Sequence, residues 1–419
     1  MPISTAAARG ITDEFNRRRG PKTGLVVGAK WGDSVLESAL ESLMPDDRLT
    51  VVTPSVDDVR IGLDKEGSWA AGNVDVHHKL ADAGQVDHVM LAEPVTVDAE
   101  AFVDDVESLK EKVNAGGTLT FAATLTAPAR EEIAELVADY GIGSDLILRS
   151  MPPLRIHKLR FTSTGVRQAF GSEVPTEDKE DAAEILPAWR ASSVPLTPGM
   201  HIDSNGVIAA GLFAGAAWGL KKLRPQSKAW MAPAALALPV AAFFRDPQRP
   251  ADMSGGDLEV DTLLAASDGA VTGIEPVVDE RFGAATGTAG SEWLRISVFL
   301  SVLDVHINRA PATGEVVDIF TESGGFVNAM KPESEHNAAC YTVIDTARGR
   351  IAVAQRTGMI ARRIVNRAKI GATVAKGERY GLIRFGSRTD VYLPQGEVEP
   401  LVEPGDKVKG GETALARWI

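Results

Sequence analysis

Hydrophobic positions in the first 160 residues form short apolar runs that alternate with helical patterns. The apolar runs lie at 24–28, 49–53, 74–78, 88–92, 117–121 and 146–148. Candidate helices fall between them at 34–43, 99–114 and 129–140. Strands that alternate with helices in this way predict an open, mostly parallel, doubly wound sheet.

Two later strands, at 145–151 and 155–162, complete a pattern that resembles the class I methyltransferase fold. A nucleotide-type cofactor site on such a fold uses a glycine-rich turn after the first strand and an acidic residue at the end of the second. Here the first turn carries a bulky Lys30-Trp31 pair between its glycines, and the second strand runs into Ser55 without a carboxylate. We therefore favour a degenerate domain, used for structure or partner binding, over a working S-adenosylmethionine site.

Two apolar segments, 207–220 and 229–244, follow a charged, proline-containing stretch that is typical of a linker. Each segment is shorter than the roughly 20 residues that a spanning helix needs, and prolines interrupt the second one. The flanking basic and indole side chains are Lys221, Lys222, Arg224, Lys228, Trp218 and Trp230. The pattern predicts a helical hairpin that dips into one membrane leaflet, with a buried helical pair inside a soluble fold as the alternative.

After position 250 the pattern changes to short strands and glycine turns, which predicts a β-rich α+β domain. Two strings, 369–378 and 404–412, echo each other and resemble the barrel-sandwich hairpins of lipoyl and biotinyl carriers, without their carrier lysine. Within 378–394, apolar residues alternate on both sides of Gly386-Ser387. This predicts two strand pieces meeting at a turn, where a hydroxyl lies beside an unguarded carbonyl and a backbone could cut itself. By itself the Gly-Ser pair is more typical of an ordinary turn.

Four separated strings carry a second resemblance. They are FFRDPQRP at 243–250, ASDGAV at 266–271, ISVFLSVLDVHINRAP at 296–311 and FGSR at 385–388. In this order they resemble the phosphatidylserine decarboxylase family, specifically its short Gly-Ser-Arg type, over about 196–419.

The resemblance implies a self-made cofactor. Ser387 would attack the Gly386 carbonyl, and the resulting ester would eliminate and hydrate to a pyruvoyl group at the new N-terminus. This carbonyl is the electron sink that amino-acid decarboxylation needs, since no side chain can hold the carbanion left by carbon dioxide. Asp268 and His306 would form the relay that activates the Ser387 hydroxyl, and His306 is the candidate to reprotonate the substrate carbon.

One position departs from the broader family. Longer members carry His-x-x-His in this strand, whereas this chain has Arg309 at the second histidine position. The division between relay and proton donor therefore stays open, and Asp304 is a further candidate. Candidates to hold the lipid phosphate or the serine carboxylate by forked hydrogen bonds are Arg309, Arg388, Arg362 and Arg363, although solvated arginines are the commoner case.

Composition sets outer limits on these interpretations. The length of 419 residues predicts two or three domains, and a net charge of -13 argues against broad binding of nucleic acid or anionic membrane, so any membrane contact is expected to be local. The single cysteine, Cys340, excludes an intrachain disulfide and fits a reducing compartment. The N-terminus lacks the apolar core of a signal peptide. His77 and His78 have no ligand partner at metal-site spacing, so no metal is predicted.

We therefore predict a methyltransferase-like domain at 1–165, a linker at 166–198, a membrane-associating hairpin at 199–245 and a self-cleaving decarboxylase domain at 246–419. The predicted function is pyruvoyl-dependent conversion of phosphatidylserine to phosphatidylethanolamine in phospholipid biosynthesis, on the cytoplasmic face of the cell membrane. The two fragments are expected to remain a heterodimer, with a homo-oligomer as a further option. The alternatives are a bifunctional decarboxylase and S-adenosylmethionine-dependent methyltransferase, and a non-catalytic membrane scaffold.

Overall fold

A computed structural model describes the chain except for residues 1–2, 18–20, 67–71, 98, 162–191, 198, 250–260, 283–291, 359–363 and 384–386. The chain divides into two compact units. The N-terminal unit comprises Met1–Gly165 and Ser192–Pro198, and the C-terminal unit comprises Val166–Ala191 and Gly199–Ile419.

The N-terminal unit is a single sheet with helices on both faces. Its helices are Thr5–Arg17 (α1), Ser34–Glu41 (α2), Val56–Glu66 (α3), Ala99–Lys110 (α4) and Arg130–Tyr140 (α5). Its strands are Thr23–Val27 (β1), Arg48–Val52 (β2), Val74–His77 (β3), Val86–Leu91 (β4), Val113–Thr124 (β5), Gly141–Ile147 (β6), Leu154–Arg160 (β7) and Ser192–Thr197 (β8). The predicted linker at 166–198 lies outside the described residues except for 192–197, which form β8.

The strand order β3-β2-β1-β4-β5-β7-β6-β8 confirms the predicted doubly wound, methyltransferase-like fold. Strand β1 is parallel to β2 and β4, whereas β7 runs antiparallel to both β5 and β6. Helices α1, α2 and α3 contribute to the core on one side, and α4 and α5 contribute to a second core. Such an arrangement buries both faces of the sheet.

One strand boundary was predicted wrongly. Strand β6 ends at Ile147, whereas the sequence pattern placed a strand at 145–151. Leu148 and Met151 are 58% and 86% exposed, so the apolar residues that extended the predicted strand lie in a turn at the surface.

The C-terminal unit is rich in antiparallel strands, as predicted. Its strands are Met200–Asp203 (β9), Arg245–Pro247 (β10), Thr262–Leu264 (β11), Gly269–Val278 (β12), Glu292–Leu300 (β13), Ile307–Arg309 (β14), Gly314–Glu322 (β15), Ala339–Thr346 (β16), Arg350–Arg356 (β17), Ile364–Asn366 (β18), Thr373–Val374 (β19), Arg379–Ile383 (β20), Ser387–Pro394 (β21), Val398–Pro400 (β22), Lys407–Val408 (β23) and Ala414–Trp418 (β24). Eight of them form one sheet in the order β19-β15-β16-β17-β21-β13-β12-β23. Two three-stranded sheets, β14-β20-β18 and β11-β24-β22, complete the unit together with the antiparallel pair β9–β10.

The two echoing strings occupy equivalent places in this fold. They supply β19 and β23, the two edge strands of the large sheet. Matching glycines have positive φ in both copies: Gly371 and Gly405 at 82° and 103°, and Gly377 and Gly411 at 79° and 75°. Glycine adopts this backbone conformation without the steric cost that other residues meet. The barrel-sandwich arrangement itself stays a prediction.

The apolar segments form two helices, Ser204–Leu223 (α6) and Met231–Phe243 (α7), which pack on each other. The prediction that both are too short to span a membrane is wrong for α6. This 20-residue helix is, within the described part of the chain, the one that is long and apolar enough by length and composition. It begins earlier than predicted because the Asp203 carboxylate caps it, accepting a hydrogen bond from Asn205 N at 2.9 Å.

Candidate active site

Ser387 is the first residue of β21, a strand inside the large sheet between β13 and β17. It lies opposite Leu300 of β13 and is fully buried. Its Oγ has no hydrogen-bond partner among the described residues. The predicted strands on both sides of the cleavage position are confirmed, while Gly386 and the turn predicted there lie outside the described residues.

His306 directly precedes β14, and its carbonyl oxygen accepts a hydrogen bond from Ile383 N at 3.1 Å. The imidazole therefore sits on a segment paired with the end of β20, four residues before Ser387. Its Nδ1 lies 3.0 Å from the main-chain oxygen of Asp304. Because a carbonyl oxygen only accepts, we assign the proton to Nδ1 and a lone pair to Nε2. Nε2 has no partner in the described part of the chain.

The surroundings of His306 favour the neutral imidazole. Burial lowers the pKa of His306 to about 4, although the nearby Asp304 and Asp268 oppose the shift. The ring of Phe243 packs on the imidazole with 4.2 Å between ring centroids. At neutral pH His306 is thus an uncharged base with a free Nε2.

Asp268 lies at the same end of the large sheet. Gly269 follows it and starts β12, where a Cβ atom would lie 2.1 Å from the Phe299 carbonyl oxygen, so only glycine fits. Strand β13 separates β12 from β21, and two strand spacings put the Asp268 and Ser387 backbones on the order of 10 Å apart. Asp268 and Ser387 are therefore brought to one end of the large sheet, and His306 lies within electrostatic range of Asp268.

The contacts of the Asp268 carboxylate differ from those of a hydrolase relay. Its oxygens accept hydrogen bonds from the two terminal nitrogens of Arg249, at 2.5 and 2.9 Å, and from Gly410 N at 2.9 Å. Its influence on His306 is electrostatic, and the imidazole Nδ1–H donates instead to the Asp304 carbonyl.

Asp304 and Arg309 have internal partners. Oδ2 of Asp304 accepts hydrogen bonds from the nitrogen and the hydroxyl of Ser301, at 2.8 and 2.7 Å. Arg309 donates to Asp246 at 3.2 Å and to the Gly377 oxygen at 3.0 Å. Burial opposes ionisation of Asp246, but Arg379 and Arg309 outweigh it and lower the pKa of that carboxyl. Substrate contacts by Asp304 or Arg309 stay predictions.

Arg388 is also committed within the fold. Its guanidinium binds Asp390 at 2.6 Å and donates to the Ser297 and Ser334 hydroxyls at 2.8 and 3.2 Å. A substrate role for Arg388 stays a prediction as well, and Arg362 and Arg363 lie outside the described residues.

The string at 243–250 stands out in the sequence, but the contacts of its side chains were not predicted. The connecting segment, Phe243 to Arg249, joins α7 to the candidate site. Phe243 packs on His306, Asp246 pairs with Arg309, and Arg249 binds Asp268. The signal available in the sequence was two arginines and one aspartate beside an aromatic pair, which marks ion pairing without identifying the partners.

The N-terminal unit offers a poor fit to an S-adenosylmethionine site. Trp31 packs directly on α3 at Gly62, where a Cβ atom would lie 2.0 Å from the indole ring. After β2, the Thr53 hydroxyl accepts a hydrogen bond from Ser55 N at 3.1 Å, and no carboxylate stands at the ribose position. An open cavity of about 650 Å³ beside β3 is lined by Asp57, Asp58, Arg60, His77 and His78, among others. Within the described ranges, no cluster of three or more His, Cys, Asp or Glu residues could hold a metal.

Comparison with known proteins first places the C-terminal half among the decarboxylases, since the family model described as phosphatidylserine decarboxylase matches residues 236–416. The phosphatidylserine decarboxylase proenzyme of Trichlorobacter lovleyi is 42% identical over 217 residues, which cover 50% of this chain and 91% of the relative. That of Gluconobacter oxydans is 48% identical over 177 residues, which cover 42% of this chain and 75% of the relative. The chain belongs to the phosphatidylserine decarboxylase family.

Solved structures that align with this chain include methyltransferases. One from Geobacter sulfurreducens is 13% identical, with a TM-score of 0.29, and covers 38% of this chain and 81% of its own. The precorrin-6y C5,15-methyltransferase of Geobacter metallireducens is 15% identical with the same TM-score, and covers 38% of this chain and 87% of its own. The fold of the N-terminal unit rests on its strand order, and methyltransferase activity stays an alternative without further support.

Proposed function

We propose that this chain cuts itself between Gly386 and Ser387 and then decarboxylates phosphatidylserine to phosphatidylethanolamine. Membership of the family supports the reaction class. The two fragments would remain together as one enzyme.

One observation carries the proposal. Ser387 Oγ and His306 Nε2 are both buried and both lack a hydrogen-bond partner among the described residues. A buried polar atom left unpaired costs about 1–3 kcal/mol. Other buried atoms of the described chain, such as Ser267 Oγ and Tyr380 Oη, are unpaired as well, but Ser387 and His306 are the nucleophile and the base that self-cleavage needs.

The cut proceeds in two stages on the chain's own atoms. Nε2 of His306 takes the Ser387 hydroxyl proton and Oγ bonds to the Gly386 carbonyl carbon. The peptide C–N bond then breaks as the imidazolium returns the proton to the nitrogen, which leaves an ester and a free amine. A base then removes the Cα proton of residue 387, and the ester C–O bond breaks to release the Gly386 carboxylate and leave dehydroalanine. Addition of water and loss of ammonia convert this residue to a pyruvoyl group. Asp304 holds the imidazole through its carbonyl throughout.

The buried, unpaired position of Ser387 fits a residue that becomes such a group. A pyruvoyl carbonyl supplies the electron sink for loss of carbon dioxide from an amino acid. The chain's own task is then to exclude water and to return one proton to the substrate carbon. We assign this transfer to His306, next to the Phe243 ring: Nε2 carries a lone pair in the resting protein, takes up a proton, and passes it to the substrate carbon.

The helical hairpin α6–α7 is the proposed membrane contact. Its exposed apolar side chains include Leu212, Trp218 and Leu238, which are 72%, 68% and 79% exposed. At the hairpin tip, Lys221 and Lys222 lie 4.6 and 5.1 Å from the Trp230 and Trp218 rings. Cations beside indoles suit the headgroup region of a bilayer, and an anionic lipid substrate would favour them further. The proposed location is the cytoplasmic face of the membrane.

Intact mass spectrometry tests self-cleavage. The wild-type protein is expected to give one fragment that ends at Gly386 and one that runs from residue 387 to Ile419 with a blocked N-terminus. Ser387→Ala should stay whole and release no carbon dioxide from phosphatidylserine vesicles. Thr389→Val, which removes a hydroxyl two residues along the same strand, should be cut like the wild type. A wild-type chain that stays whole would overturn the proposal.

A further inference from the structure

Arg249 makes the most extensive contact with the candidate relay. Its two terminal nitrogens donate to separate oxygens of Asp268, at 2.5 and 2.9 Å, which is the forked geometry that fixes a carboxylate in both position and orientation. The same guanidinium donates to the Gly410 carbonyl at 2.6 Å, and its Nε lies 3.4 Å from Glu412. Arg249 is 6% exposed, so this arrangement is shielded from water.

The remaining support for Asp268 is small. Among the described residues, Gly410 N is the other hydrogen-bond donor to its carboxylate, at 2.9 Å, and it meets the same oxygen as one Arg249 nitrogen. Without Arg249, one carboxylate oxygen would lose its hydrogen bond in the described structure. Asp268 directly precedes β12, and its side chain is 13% exposed.

The arginines around the candidate site pair with different carboxylates. Arg309 and Arg379 form ion pairs with Asp246, whereas Arg249 forms an ion pair with Asp268. Asp304 and Asp268 favour the protonated form of His306 electrostatically, Arg245 opposes it, and no hydrogen bond between His306 and Asp268 is described. The charge that develops on the imidazole when it takes the Ser387 proton is therefore stabilised across space, and that stabilisation depends on where the carboxylate is held.

We propose that Arg249 is a positioning residue for self-cleavage, which holds the Asp268 carboxylate where it stabilises protonated His306. This inference rests on the proposed self-cleavage. It adds a residue whose effect is exerted through Asp268, since Arg249 itself contacts neither Ser387 nor His306 by any described hydrogen bond.

The test follows cleavage by denaturing electrophoresis during cell-free synthesis. The readout is the cut itself, so it does not depend on decarboxylase activity of the matured enzyme. Arg249→Met should slow cleavage by about tenfold to a hundredfold, the scale expected when a catalytic group is displaced by about 1 Å. Arg249→Lys keeps the charge but loses the fork, and its rate should fall between those of Arg249→Met and the wild type.

A double-mutant cycle separates positioning from general structural support. In an Asp268→Asn background, Arg249→Met should cause little further loss of cleavage rate, because the residue acts through the carboxylate already removed. Multiplying losses in the double variant would overturn the proposal. So would an Arg249→Lys rate equal to that of Arg249→Met.

Arg350→Met is the matched control. It also removes a buried, forked Arg–Asp pair, with Asp345 at 2.6 and 2.9 Å, from the same unit. It should lower the melting temperature about as much as Arg249→Met but leave the cleavage rate near that of the wild type. If the wild-type chain is cut and Arg249→Met is cut equally fast, the proposed role of Arg249 is overturned, while self-cleavage itself is not. A wild-type chain that stays whole would overturn self-cleavage itself.

Discussion

The imidazole of His306 differs from that of a hydrolase triad in what holds it. The main-chain oxygen of Asp304 accepts a hydrogen bond from Nδ1. The Asp304 carboxylate accepts hydrogen bonds from Ser301, which fix the backbone turn that carries this oxygen. The tautomer with a free Nε2 is thus set by the local backbone, while Asp268 acts at a distance. Burial lowers the pKa of His306, and the hydrogen bond to the Asp304 carbonyl opposes that shift without overcoming it.

The first prediction concerns stability as a function of pH. The unfolded chain binds a proton at His306 near its ordinary pKa of 6.5, whereas the folded chain does so only near 4. Because the unfolded state then holds more protons between these values, stability is lost as pH falls from about 6.5 to about 4. For His306 this amounts to about 2 kcal/mol at most between pH 6.5 and 5. Urea unfolding of Ser387→Ala, which stays a single chain, measures it.

The comparison for this prediction is between two histidines. Ser387→Ala with His306→Gln should lose about 2 kcal/mol less on acidification over this range than Ser387→Ala alone. Ser387→Ala with His336→Gln is the matched surface variant, since the His336 side chain is 82% exposed. Equal pH dependence of the His306 variant and the parent would contradict the assigned neutral imidazole.

At the scale of elements, the hairpin and the site are parts of one continuous stretch. Helix α7 ends at Phe243, which packs on His306, and the connecting segment continues to Arg249 on Asp268. The hairpin is also anchored at its start, where Gly206 of α6 approaches Phe244 so closely that a Cβ atom would lie 2.4 Å from the Phe244 Cβ. Both ends of the apolar hairpin therefore meet beside the candidate site.

The second prediction concerns this hairpin. Replacing Leu212 and Leu238 with aspartate places charges on the exposed apolar surface of the hairpin. Binding to phosphatidylserine-containing vesicles should weaken by at least tenfold, because each leucine that the bilayer buries contributes about 1.5–3 kcal/mol. Vesicle flotation measures binding. Self-cleavage should be retained, since both side chains are largely exposed.

Ile370→Asp is the control for the hairpin. Ile370 is 61% exposed beside β19, away from the hairpin sequence. Its substitution should leave flotation unchanged. If the Leu212 and Leu238 variant floats like the wild type, the hairpin does not provide the membrane contact.

Much of the element pattern could be predicted from the sequence, because alternation and helical spacing report burial directly. Strands β20 and β21 around the cleavage position are an example. Helix α1 was missed although Ala7, Ile11 and Phe15 repeat at helical spacing and are all fully buried. The end of β6 was predicted wrongly because the apolar residues after it are exposed, and the start of α6 was predicted too late because a capping aspartate sets it. The Arg249–Asp268 fork and the His306 tautomer could not be predicted, since both arise from tertiary contacts that no periodicity encodes.

At the scale of the whole molecule, residues 387–419 are distributed through the C-terminal unit. Strand β21 lies inside the large sheet, β23 forms one of its edges, and β22 and β24 pair in a separate sheet with β11. Val391, Leu393, Val408 and Leu415 belong to one core with residues of the preceding strands. The small fragment would therefore remain part of the fold after a cut.

The third prediction follows from this distribution. After cleavage the two fragments should elute together from gel filtration in a one-to-one ratio and separate only in denaturant, because release of β21 would expose the pairing edges of both β13 and β17. Native mass spectrometry checks the ratio. Elution of free small fragment from the native protein would contradict it.

The inner position of β21 also bears on the lifetime of the enzyme. Before the cut, a single chain brings all of these strands together, and an unfolded molecule can return to its native state. After the cut, the same sheet would have to reassemble from two separate polypeptides, one of them the short fragment that carries β21 to β24. Recovery from heat shock would then require new synthesis, and each mature molecule would have been folded only once.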